Sequence, residues 1–293
     1  MPPFSKIPRL SPWTEDEDHP TQWTKDLRPF AYAFLEYRIY QQVGPHPCLV
    51  ECLGINEENA LVLRRMRNGS IQTYLLENPR PDFATRAQWV VDIAHGMGHL
   101  HASGVLWNDC SIFNALVSDD GAHALICDFG SAIIWPPVAC PRIDVALPPY
   151  AVPLSHAFAS GNPWAPDLFS LAGVALFLLS WQHPCAAVPG LNGWPNEEEY
   201  LERIKAHERG EFDQLDPTRF GEHFVRVVER GFRLKYTDAQ EFARECEDAL
   251  KHWKDAFSRG ELPDPDTMIP DIPADTPAAT AAIADVVTDP QPF

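Results

Sequence analysis

Apolar and polar positions along the chain alternate between helical and strand-like spacing, and the changes of period mark out its elements. From Arg28 to Val43 the pattern predicts a helix, with Pro29 suited to its first turn and Gly44–Pro45 ending it. Two short apolar runs follow, "CLVECLGI" and "ALVLRR", joined by the polar "NEEN" at 56–59, and they read as a hairpin. The "RNGS" stretch at 67–70 has turn chemistry and is placed as an interdomain hinge. Beyond it, Thr85 and Gln88 form a capping-box pair, and Trp89, Val90, Ile93, Met97 and Leu100 recur at helical spacing up to Gly104. "NALV" and "HALIC" predict two short strands around the "DDG" turn at 119–121. From Asp167 a helix is apolar on every side, the mark of a buried central helix. Residues 197–209 and 237–254 have the pattern of amphipathic surface helices, 10–28 that of a polar, proline-dotted loop, and 136–153 is proline-rich.

Composition narrows the function. The formal net charge of −18 argues against a nucleic-acid or anionic-membrane surface, because phosphate contacts need clustered Lys and Arg. An anionic ligand would therefore need a bound cation or backbone N–H groups beside it. The seven cysteines form no C-x-x-C pair, which speaks against a zinc ribbon. No apolar stretch resembles a secretory leader, and the longest apolar run, 168–181, is short for a bilayer. An intracellular, cytoplasmic protein with no membrane partner is expected. Residues 261–293 hold seven acids, seven prolines and no Lys or Arg, so this tail is expected to be disordered.

The segment "VLWNDCSIFNALV", 105–117, carries the chemistry. It sets Asp109 and Asn114 in a loop between apolar elements, and "DFG" begins at Asp128, directly after the strand "ALIC". Singly, each is a turn residue. Together, three oxygen-bearing side chains on adjacent turns of one small hairpin form a candidate site for a phosphate-bound metal, since Mg²⁺ takes oxygen ligands and substrate phosphates.

With these residues the chain resembles the eukaryotic protein kinases over about 1–258. "WNDCSIFN" is similar to the family's catalytic loop, H-R-D-L-x-x-x-N. The resemblance implies that Asp109 accepts the proton of a substrate hydroxyl, that Asn114 holds one Mg²⁺, and that Asp128 holds the metal bridging the ATP phosphates. "LEYRIYQQVGPHPCLVECLG" resembles the regulatory helix and the next strand, with Glu36 as the helix glutamate. "LVLRRMRNGSIQTYL" resembles the strand and hinge that hold adenine, with Leu63 as gatekeeper and Arg64 and Met66 at the backbone contacts. "APDLFSLAGVALFLLS" resembles the central helix of the large lobe, with Asp167 buttressing the catalytic loop, and "GFRLKYTDAQEF" the last conserved helical region. "FSKIPRL" resembles the strand of the ATP-pairing lysine, which makes Lys6 the partner of Glu36; Lys25, in a polar stretch, is second choice.

The chain departs from the family in five places. No G-x-G-x-x-G lies upstream of Glu36, so with Lys6 in that role the first two strands and the phosphate-covering loop are expected to be missing. Trp107 stands where the family has histidine, and is expected to pack as core. Asn108 replaces an arginine that pairs with an activation-segment phosphate, and Ser111 replaces a lysine, as in fungal-type loops of the "HNDIS" kind. "AVPL" at 151–154 lacks the glutamate of A-P-E.

The expected fold is α+β: a kinase-like two-lobe fold with an incomplete small β lobe over 1–66, a mainly helical large lobe over 67–258, and a disordered tail over 259–293. The expected function is transfer of the γ-phosphoryl group of Mg-ATP to a protein Ser, Thr or Tyr. The alternatives are a pseudokinase that binds without turnover and a small-molecule phosphotransferase.

Overall fold

The computed structural model describes residues 14–15, 22–26, 31–57, 59–137, 160–181, 202 and 205–268. Its one larger sheet is built from β1 (Thr14–Glu15), β2 (Gln22–Asp26), β3 (Cys52–Ile55) and β4 (Ala60–Arg64), in the order β1-β2-β4-β3, all antiparallel. The hairpin β3–β4 is the one expected, with a register shift between Cys52 and Gly54. Strands β1 and β2 fall in the stretch expected to be a loop. The polar sequence "QWTKD" is a strand because its backbone pairs along its whole length with β4, Trp23 opposite Leu63 and Lys25 opposite Leu61. Tertiary pairing has overridden a weak local signal.

Helix α1 (Ala31–Val43) turns Ile39, Tyr40 and Val43 into the core, and Gly44, at φ 68°, ends it. The chain then joins the two lobes directly: Val50 N–H donates to Ile126 O at 3.0 Å, and Ile126 N–H to Cys48 O at 2.9 Å.

The large lobe begins with α2 (Ile71–Glu77), capped by Ser70, whose hydroxyl accepts from Thr73 N–H. Next comes α3 (Phe83–Ala102), whose N-cap is Asp82, accepting from Thr85 N–H; the Thr85–Gln88 box expected from the sequence is not the cap, and Gln88 instead reaches Asp92 at 2.9 Å. Short strands β5 (Val105–Leu106), β6 (Ala115–Val117), β7 (Ala124–Ile126) and β8 (Ile133–Ile134) pair as β5–β8 and β6–β7. Helix α4 (Ala165–Ser180) is buried through Leu179, as its all-round apolar sequence requires. Each such Leu or Phe contributes about 1.5–3 kcal/mol by leaving water. Next come α5 (Pro217–Phe220), α6 (Glu222–Phe232), which packs on α4, and α7 (Ala239–Ser258), which packs on α3 and α6. Gly231 lets α6 approach α4: a Cβ there would come within 2.7 Å of Ala172 Cβ.

Residues 259–268, expected to belong to a disordered tail, are ordered. A 3-10 turn at Pro265–Met268 packs on the large lobe, where Asp266 accepts from the fully buried guanidinium of Arg86 at 2.7 Å. Without that carboxylate Arg86 would be a buried cation with only carbonyl partners; Arg80, 3.9 Å from the same oxygen, and Arg219, which donates to Pro265 O at 3.0 Å, hold the segment as well. Residues 269–293, the proline-rich stretch from 138 onward, Lys6 and most of the 197–209 helix lie outside the described residues.

Candidate active site

The candidate site is built on the loop after β5. Asp167, at the start of α4 and 1% exposed, accepts the backbone N–H groups of both Trp107 and Asn108 at 2.7 Å. The same carboxylate faces His101 Nε2 at 2.9 Å. Ala239 N–H donates to His101 Nδ1 at 3.2 Å, so Nε2 carries the proton given to Asp167. A buried carboxylate with three donors is well compensated, and its position fixes the backbone immediately before Asp109. Asn108 is thereby held at φ 66°, a left-handed conformation that costs about 1–3 kcal/mol unless its surroundings enforce it.

Asp109 and Asp128 are both half-buried, whereas Trp107, Asn108, Cys110, Ser111, Asn114 and Phe129 around them are buried. The link between the two aspartates is continuous. Asn114 Nδ2 donates to Asp109 O at 2.9 Å, and Cys127 N–H donates to Asn114 O at 2.9 Å, one residue before Asp128. The β6–β7 pairing, Ala115 opposite Ile126, sets that alignment. Asp128 is also left-handed, at φ 58°. Burial, then the Asp167 charge, pushes the Cys110 thiol well above its usual range, so it stays a neutral core group beside Asp109.

From the small lobe, Glu36 is fully buried and accepts the N–H of Phe129 at 3.2 Å. Tyr40, one turn along α1, packs on Phe129 with ring centroids 4.8 Å apart. Burial, followed by the Glu36 charge, raises the Tyr40 hydroxyl well above its ordinary value. On the hinge side Leu63 and Met66 are buried, while Arg64 is exposed and pairs with Glu51 at 3.1 Å. Lys25 stands on β2 opposite Leu61, beside the strand that leads to the hinge.

Trp107 does more than fill the core. Its indole N–H is shared between Cys127 O at 3.1 Å and Asp128 O at 3.2 Å, and its ring meets Phe129 edge-on at 6.5 Å. Nothing in the sequence points to this bond. Asn108 is also more than a turn residue: its Nδ2 donates to Ser131 O at 3.1 Å, tying the Asp109 loop to the segment after Gly130.

Among the described residues no group of three or more His, Cys, Asp or Glu is placed to hold a metal by itself. Asn114 and Asp128 offer an amide and a carboxylate oxygen, a donor set that suits Mg²⁺ shared with phosphates rather than a closed protein cage. No helix among them is long and apolar enough to cross a membrane.

Comparison with known proteins agrees with this geometry. Residues 25–135 match the family model "Protein tyrosine and serine/threonine kinase". A "Probable LIM domain-containing serine/threonine-protein kinase" of Dictyostelium discoideum is 32% identical over 92 residues, 30% of this chain and 14% of that protein. "Dual specificity testis-specific protein kinase 1" of Rattus norvegicus is 34% identical over 92 residues, 30% of this chain and 15% of that protein. A "G-type lectin S-receptor-like serine/threonine-protein kinase" of Oryza sativa subsp. indica is 36% identical over 97 residues, 31% and 12% of the two chains. Residues 25–135 are thus similar to the eukaryotic protein kinases, and the mixed helices and small sheets are consistent with an α+β two-lobe fold. The matched stretches span only 12–15% of these relatives' own length.

Proposed function

We propose that this chain is a protein kinase domain that binds Mg-ATP and passes the γ-phosphoryl group to a hydroxyl of a protein substrate. The observation that carries the reading is the hydrogen-bonded run from Asp109 through Asn114 to Cys127 and Asp128, buttressed by Asp167. It sets two oxygen ligands beside a half-exposed carboxylate.

When bound, the metal supplies the positive charge that an acidic protein lacks at the phosphates. Asn114 and Asp128 would hold it. Asp109 orients the substrate hydroxyl and takes its proton as the oxygen attacks phosphorus. Leu63, Arg64 and Met66 form the adenine side. For the lysine that pairs with the phosphates and Glu36, the register of β2 on β4 and the start of the family match at residue 25 favour Lys25 over Lys6. Transfer of ³²P from γ-labelled ATP to a mixed Ser/Thr/Tyr peptide pool tests the proposal. Wild type should label peptide and Asp109→Asn should lose at least about 100-fold, the lower end of general-base effects; equal labelling by the two would refute it.

A second reading, nucleotide binding without turnover, is favoured by one observation. Ser111 takes the place of a lysine, and its hydroxyl is buried with no hydrogen-bond partner. Metal-dependent ATP binding with no labelling of any peptide would select it.

A further inference from the structure

We propose that Trp107 is a positioning residue for Asp128, acting through the peptide unit between Asp128 and Phe129. This rests on the reading of Asp128 as a metal ligand. The carbonyl of that peptide accepts from the Trp107 indole at 3.2 Å, and its N–H donates to Glu36 Oε1 at 3.2 Å. A trans peptide points its C=O and N–H in opposite directions, so the unit is gripped from two sides, by the catalytic loop and by α1.

The grip fixes the rotation of the plane that follows Asp128. Asp128 itself is at φ 58°, a conformation that persists only where its surroundings enforce it. With φ set by the chain before it and the next plane clamped, the direction of the Cα–Cβ bond that carries the carboxylate is fixed, and Gly130 N–H donates to the carboxylate Oδ1 at 3.4 Å. Trp107 is itself immobile: it is fully buried, its backbone N–H is bound to Asp167 at 2.7 Å, and its ring contacts Phe129. It lies two residues before Asp109, so one side chain sets the separation of the two aspartates. The second bond of the indole, to Cys127 O at 3.1 Å, holds the preceding peptide as well. A ring that only filled space would not need its N–H.

The probe is Mn²⁺ with ATP, and the readout is the ratio of ATP affinity with and without the metal. Four proteins are compared: wild type, Asp128→Asn, Trp107→Phe, and wild-type sequence carrying 3-benzothienylalanine at 107. The last has the shape of tryptophan with sulfur in place of N–H, so it keeps the packing where phenylalanine could leave a void. Groups that orient metal ligands typically change metal affinity 10- to 100-fold, so loss of the N–H should lower the metal-dependent gain by about tenfold or more. Metal-free ATP affinity should stay at the wild-type value. An unchanged gain in the benzothienyl protein, with the gain lost in Asp128→Asn, would overturn the role of Trp107 and leave the metal site standing. A wild type with no metal-dependent gain would overturn both.

Discussion

The two sides of the candidate cleft are built by different means. On the large-lobe side Asp109, Asn114 and Asp128 are set by buried polar groups, each with a named partner: Asp167 under Trp107 and Asn108, Asn114 on Asp109 O, Trp107 on Asp128 O. On the hinge side the corresponding span, Leu63–Met66, carries the buried Leu63 and Met66, and the ion pair Arg64–Glu51 is largely exposed. The contrast teaches where substitution is expensive. Buried polar groups are costly to orphan, whereas exposed charges are interchangeable with water.

Several substitutions can break this contrast. The largest effect is expected from Asp167→Ala, which leaves the N–H groups of Trp107 and Asn108 without their acceptor inside the protein. At about 1–3 kcal/mol for each orphaned donor, the loss should be on the order of 3–5 kcal/mol in urea unfolding. A loss below about 1 kcal/mol would show that the Asp109 loop is not held from α4. Glu36→Ala comes next, at about 1–3 kcal/mol, because it orphans the buried Phe129 N–H. Glu36→Gln keeps an acceptor oxygen and should recover most of that stability; if the two variants are equally unstable, the bond to Phe129 is not what matters.

A smaller effect comes from pH. Burial first, then the neighbouring His99 and His95, lowers the pKa of His46 below its ordinary 6.5. As pH falls through 6.5 the unfolded chain takes up a proton that folded His46 still refuses, so stability falls with acidification until the folded value is passed. The melting temperature should therefore drop between pH 7.5 and 5.5 by about 1 °C more in wild type than in His46→Gln. An equal drop in both would remove His46 as a contributor. The smallest effect is expected on the hinge side: Arg64→Ala should change stability by no more than about 0.5 kcal/mol, as exposed pairs do. A change above about 1 kcal/mol would mean that the hinge depends on its ion pair after all.

The same contrast explains what could be read from the sequence. Asp109, Asn114 and Asp128 stood out because polar side chains interrupt apolar runs at fixed spacing, and the hairpin β3–β4 and the buried helix α4 were visible from period alone. Strand β2 was not, since "QWTKD" has no apolar alternation and its partner strand lies more than thirty residues away. The same polarity makes Lys25 second choice to Lys6 for the lysine role, and Lys6 lies outside the described residues. The cap at Asp82 was hidden because Thr85 and Gln88 offered an equally good local pattern. Asp266 was read as part of a featureless acidic tail, because its partner Arg86 is 180 positions away in the chain. Trp107 looked like core, and it is core; the use of its one polar atom depends on where Asp128 O lies in space. Local chemistry is legible in sequence, and long-range hydrogen-bond partners are not.

Asn114 and Asp128 are proposed to hold a divalent cation against the phosphates of a nucleotide. Calorimetric titration of ATP into the protein, with Mg²⁺ and with the metal chelated, tests it most directly, in wild type and in Asp128→Asn. Wild type should bind ATP at least about tenfold more tightly with Mg²⁺ than without, and the substitution should abolish that difference while leaving the metal-free affinity in place. ATP binding that ignores the metal in wild type, or a metal dependence that survives in Asp128→Asn, would contradict the account.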